Sequence, residues 1–159
     1  RPLVAMGGST AARPAGLDDT WRALAAELAG HPYREALSAL TGVALTGLAL
    51  EANGVSCPPG SFQEPHPALP EKIVTHVLWF NEAWDASYGG CLRILRSNDE
   101  ADVAHELLPE LGWSAVFVRS EHSWHSVTAI VDDAPLDRRA VVATFYRPGS
   151  TSTMFPPGG

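Results

Sequence analysis

Apolar positions near the start of the chain recur at three and four: Trp21, Leu24, Ala25 and Leu28. That spacing lines one face of an α-helix. Asp18-Asp19-Thr20 supplies an N-terminal cap and Gly30 a stop. A second helix is expected from Tyr33 to Leu40, closed by Gly42. Residues 43–52 fit helix or strand, and Thr46 and Gly47 tilt the reading to strand. The pattern then changes. Cys57-Pro58-Pro59-Gly60 is a turn cluster, and Pro65, Pro67 and Pro70 forbid a helix across the next stretch. Ile73–Phe80 is β-branched and aromatic, which predicts a strand. Cys91–Leu95 predicts another, with Asn81–Gly90 as the turn region of a hairpin. Asp99–Leu108 is charged and reads as helix or loop. Ser114–Arg119, Trp124–Val131 and Arg139–Tyr146 read as strands, and everything from Pro148 as an irregular tail. Two or so helices and five or more short strands make an α+β fold, with a sandwich or jelly roll and the helices packed on one sheet.

Composition narrows the function classes. The 159 residues are 45% hydrophobic and 18% charged, as expected for one domain spanning 1–159. Within it, 1–55 forms a helical support region, 56–147 the β core and 148–159 the tail. Eleven Lys and Arg against eighteen Asp and Glu give a net charge of −7, which counts against a nucleic-acid surface. It leaves room for a small anion held by one or two arginines. No apolar run reaches the roughly 18 residues of a membrane span. Two cysteines, Cys57 and Cys91, are too few for a disulfide scaffold and point to a reducing cytoplasm. The chain begins at Arg1 rather than Met, so it reads as part of a longer protein. The oligomeric state is left open.

The histidines differ in setting. His31 and His105 lie in charged surroundings and His122 in a turn. His66 stands between two prolines ahead of a strand, and His125 opens a strand. Two histidines at the ends of neighbouring strands can share a metal, because neutral imidazole is its commonest protein ligand. From the residues alone, that pairing competes with two unrelated histidines.

The order of motifs adds to this. Val74-Thr75-His76-Val77-Leu78-Trp79-Phe80-Asn81, then Trp84-Asp85, Gly89-Gly90 and Leu92-Arg93-Ile94 are followed by strand 114–120, His125 and an arginine-led strand to Tyr146. The run over about residues 60–150 resembles the iron(II)/2-oxoglutarate oxygenases of the prolyl-hydroxylase type. The resemblance implies a double-stranded β-helix (a jelly roll), with Fe(II), 2-oxoglutarate and O2 as cofactor and cosubstrates. It also implies a facial triad of His-x-Asp plus a distal His. The matching residues are His66-Pro67-Ala68 and His125, so the Asp is Ala.

That departure removes one negative charge and one ligand and leaves a small hole. Chloride would restore charge and position together. The iron halogenases similar to this family carry Ala or Gly at that place, so Ala68 is expected to line a halide pocket. The reading is a halogenase that chlorinates an unactivated carbon of a free small metabolite. A deoxyadenosine nucleotide of the nucleoside-antibiotic type is one candidate substrate, and a free or carrier-bound amino acid another. An acidic protein suits an acidic carrier poorly. Three alternatives stand beside it: a hydroxylase in which Glu64 or Glu71 replaces the Asp, a decayed relative that only binds ligand, and an engineered Asp-to-Ala variant.

The resemblance also places the cosubstrate. Arg139, at the start of the last strand, is expected to hold the distal carboxylate of 2-oxoglutarate in a two-pronged ion pair, with Arg138 facing away. Thr75, Val77 and Trp79 share one strand face that should point into the barrel. Trp79 falls where the family often has a Tyr near that carboxylate, and it offers only an N–H. Leu92 and Val127 are expected to wall the iron pocket.

Overall fold

The computed structural model describes residues 1–6 and 17–152. Two helices, α1 (Asp19–Ala29) and α2 (His31–Thr41), precede most of the strands. The Asp18 carboxylate caps α1 by accepting from the backbone N–H of Trp21 at 2.9 Å. Gly42 closes α2 with φ of 72°, a left-handed position that glycine adopts without strain.

The described residues contain nine strands: β1 (Pro2–Val4), β2 (Ala49–Cys57), β3 (Gln63–His66), β4 (Lys72–Trp79), β5 (Leu92–Leu95), β6 (Val103–Leu107), β7 (Ser114–Val118), β8 (His125–Val127) and β9 (Arg138–Tyr146). They form a five-stranded sheet ordered β1-β2-β9-β4-β7 and a four-stranded sheet ordered β3-β8-β5-β6. Among the described residues all pairings between these strands are antiparallel. This is the jelly-roll architecture that the sequence implied.

Strand alternation divides the large sheet into two faces. Leu50, Ala52, Val74, Val141, Ala143 and Phe145 point outward and bury against Leu28 and Leu37 of the helices. Each Leu, Val or Phe among them contributes about 1.5–3 kcal/mol on burial. Val77, Trp79, Ala115, Phe117 and Ala140 point inward, towards Leu92, Ile94 and Val127 of the small sheet. The layers therefore run helices, large sheet, small sheet, and the inner space lies between the two sheets.

Several elements differ from the sequence reading. The strand foreseen within 43–52 begins at Ala49 and continues to Cys57, so both β1 and β2 belong to the large sheet. Residues 81–90 do not turn a hairpin, because β4 and β5 lie in different sheets and the segment crosses between them. Asn81 anchors this crossover, donating to the Asp137 carbonyl at 2.9 Å and accepting from the Arg139 N–H at 2.8 Å. The charged stretch before Leu108 contains a strand, β6. Its charges are matched across the ladder, with Glu106 opposite Arg93 at 2.6 Å. β3 carries Pro65 because it is an edge strand, where a missing donor is tolerated. Of the expected tail, 153–159 lies outside the described residues.

One pair under the helices makes a prediction. Tyr33 of α2 bonds His76 of β4, hydroxyl to Nδ1, at 2.9 Å. Burial lowers the pKa of His76, which keeps the ring neutral as an acceptor. A depressed histidine pKa gives stability that is present above the unfolded value near 6.5 and is lost as pH falls below it. Unfolding free energy, measured by urea titration, should therefore decline between about pH 7 and pH 5. His76→Phe should flatten that decline and cost about 1 kcal/mol at neutral pH for the lost hydrogen bond. An unchanged slope in the variant would remove His76 as its source.

Candidate metal and carboxylate site

β3 ends at His66 and β8 begins at His125, and the ladder pairs these two residues directly. Their ring centroids are 4.2 Å apart, at an interplanar angle of 54°. Each ring is fixed by the carbonyl two residues before it. His66 Nδ1 lies 2.8 Å from the Glu64 oxygen, and His125 Nδ1 lies 2.9 Å from the Ser123 oxygen. A carbonyl only accepts, so both Nδ1 atoms carry the hydrogen and both Nε2 atoms keep a lone pair. This is how metal-binding histidines are oriented by their outer partners. Burial, above all, lowers the pKa of His125 and favours the neutral ligand form. Phe117 covers its ring at 5.0 Å between centroids.

Ala68 is 8% exposed. Its N–H donates to Ser123 Oγ at 3.3 Å, and the same Ser123 offers its carbonyl to His125. One serine therefore ties the Ala68 segment to the distal histidine. Among the described residues, no group of three His, Cys, Asp or Glu side chains is placed to hold a metal. Glu64 and Glu71 are exposed, and neither forms a group of three with the two histidines among the described residues.

The arginine assignment needs correction. Arg139 is exposed and borders a shallow surface depression with Pro59, Leu136 and Asp137. Arg138 is 6% exposed and faces inward with Ala140. The expected register was displaced by one residue because β9 starts at Arg138. Its 138, 140, 142 face and its 139, 141, 143 face are almost equally apolar, so hydropathy does not distinguish them.

Arg138 donates Nε to the Gly90 carbonyl at 2.8 Å, and its guanidinium lies 6.0 Å from the centre of the Trp79 ring. Its cross-strand neighbour is Cys57. It forms no ion pair with any described carboxylate. Trp79 is 1% exposed, and its Nε1 is buried without a partner. A buried cation with no carboxylate beside an unpaired buried donor is costly, and an anion between them would satisfy both. The donor set therefore fits a carboxylate. Gly90 permits this approach, since a Cβ there would sit 3.2 Å from Arg138 Cδ at a φ of 68°. Thr75 also faces inward, with its hydroxyl 3.5 Å from that of Thr144. Leu92 pairs with Val127 on the opposite sheet, where both help line the interior.

Comparison with known proteins gives the family and the fold. The sequence model of the 2OG-Fe(II) oxygenase superfamily matches residues 59–146, more than half of the chain. A prolyl-4-hydroxylase of Pseudomonas putida is similar at 26% identity with a TM-score of 0.62, covering 87% of this chain and 71% of that one. A prolyl hydroxylase of Trichoplax adhaerens, solved with a peptide fragment of the hypoxia inducible factor oxygen degradation domain, gives 15% identity and a TM-score of 0.52. That match covers 80% of this chain and 55% of the other. A prolyl 4-hydroxylase of Phytophthora capsici gives 16% and 0.54, covering 86% and 48%. The last two show likeness of fold alone. No curated protein matches the sequence.

Proposed function

Because the chain belongs to the 2OG-Fe(II) oxygenase superfamily, we propose that it uses iron, 2-oxoglutarate and O2 to oxidise a C–H bond of a free small substrate, with His66 and His125 as its protein ligands. The observation that carries the reading is the histidine pair with both Nε2 atoms free and both Nδ1 atoms held. Bound ferrous iron supplies the place where O2 and 2-oxoglutarate react to give succinate and carbon dioxide. The residues of the chain do the rest. The Glu64 and Ser123 carbonyls fix the tautomers. Arg138 and Trp79 hold the distal carboxylate of 2-oxoglutarate. Leu92, Val127 and Phe117 keep the inner space apolar and limit water.

Hydroxylation is the outcome that the family and the Pseudomonas putida relative support. Halogenation is the second reading, and Ala68 is what favours it. A small buried residue stands where a carboxylate is expected, so an external anion such as chloride has room and charge to bind. A deoxyadenosine nucleotide and an amino acid are the first substrates to try.

The test is oxygen-dependent succinate formation with iron and 2-oxoglutarate, followed by mass spectrometry of each product with chloride and with bromide. Oxygenated product at saturating halide supports hydroxylation, and halogen in the product supports the second reading. Ala68→Asp restores a carboxylate and fills the space. It should retain hydroxylation under the first reading and eliminate chlorination under the second, whereas Ala68→Gly should eliminate neither. Absence of succinate in every condition would overturn both.

A further inference from the structure

We propose that Arg119 and Lys72 form an anion subsite at one end of the inner space, selecting a substrate that carries a phosphate or a carboxylate. This rests on reading the histidine pair as the reaction centre and names the substrate class for it.

The inward face of the large sheet is ordered in rows. Arg138 and Trp79 mark one end. Val77 and Val142 follow, then Thr75, Thr144 and Phe117, and then Lys72 beside Tyr146. His125 lies against Phe117, so the Lys72 row is on the far side of the histidines from Arg138. Arg119 is the residue after β7, and alternation continues the side of Ala115 and Phe117 to it. Its N–H donates to the Ile73 carbonyl at 2.9 Å, which brings it beside Lys72.

Arg119 keeps one unmatched buried donor, and Lys72 has no carboxylate within ion-pair distance among the described residues. The Arg119 side chain is 17% exposed and its Nε is buried without an acceptor. One terminal nitrogen meets Glu121 at 2.6 Å, but that glutamate is 77% exposed, and such a pair gives way at little cost. Lys72 is half-buried and forms no ion pair with any described residue. Burial lowers the pKa of Lys72, the charges of Glu51 and Glu71 oppose that shift, and its own charge acts on His125. The buried carboxylate of Glu51, opposite Thr144 on the next strand, shares this end of the face and is taken up by the hydroxyls of Tyr146 and Ser152. A phosphate or carboxylate would satisfy the free Nε–H and the ammonium together. It would also fix the orientation of the substrate relative to the histidines, independently of Arg138.

Phenyl phosphate and benzoate share one ring and differ in the anion, so they separate the two sources. Each is titrated calorimetrically into the protein without oxygen, with and without iron and 2-oxoglutarate. One of them should bind, and Arg119→Gln should weaken it at least tenfold while 2-oxoglutarate affinity stays within twofold. Arg119→Lys should restore most of the loss, which guards against a folding defect, and Lys72→Gln should weaken the same probe. Binding of neither probe, equal binding to wild type and Arg119→Gln, or a matching loss of 2-oxoglutarate affinity would overturn the subsite. Failure of 2-oxoglutarate to bind the wild type would count against the proposed reaction instead, and the probe titrations without it would still decide the subsite.

Discussion

Arg138→Gln is expected to abolish 2-oxoglutarate binding at concentrations that saturate the wild type, whereas Arg139→Gln should leave it almost unchanged. Arg138 is the buried guanidinium, with no carboxylate partner of its own and the unpaired Trp79 Nε1 beside it. Removing one side of a buried charged pair costs about 3–5 kcal/mol. That corresponds to a loss of affinity of about a hundredfold to several thousandfold. Arg139 holds only a surface position, where charge contributes little. Calorimetric titration of both variants with 2-oxoglutarate measures the difference. Equal losses would place the carboxylate elsewhere. Trp79→Phe removes a single donor and should cost about 1–3 kcal/mol, less than the arginine.

The second large effect concerns iron. His66→Ala and His125→Ala should each eliminate stoichiometric Fe(II) binding, since no third protein ligand is at hand among the described residues to retain the metal. Loss of one of three ligands often leaves weak binding, but loss of one of two leaves a lone imidazole. His105→Ala, in an exposed strand position, should bind iron as the wild type does. Iron content after desalting, with circular dichroism to confirm folding, checks the set. Iron retained in both histidine variants would move the metal away from this pair.

The placement of several of these residues was legible in the sequence, and the reason differs from residue to residue. His66 and His125 stand at strand ends, and the family resemblance of the separate motifs is what linked them; the ladder puts them side by side. Trp79 and Thr75 were placed by alternation along an unbroken strand, where the period of two leaves no ambiguity. Arg138 was misplaced because two arginines adjoin at a strand start and both faces of β9 are apolar, one towards the helices and one towards the interior. The signal that separates them is tertiary: a helix layer covers Val141, Ala143 and Phe145. The strand β6 was hidden because its charges suit a helix surface as well as an edge ladder. Glu106 opposite Arg93 is a cross-strand partnership that no single-segment pattern reveals. The crossover at 81–90 read as a hairpin for a similar reason, since the sheet to which each strand belongs is not written locally.

The measurement that bears most directly on the two-histidine centre is a crystal structure of the iron-loaded protein, grown without oxygen and with 2-oxoglutarate present. The expected result is iron bound by His66 Nε2 and His125 Nε2, with no protein carboxylate in contact, Ala68 beside the vacant ligand position, and the distal carboxylate of 2-oxoglutarate on Arg138. Iron ligated by Glu64, Glu71 or any other carboxylate of the chain, or bound away from the two histidines, would contradict it.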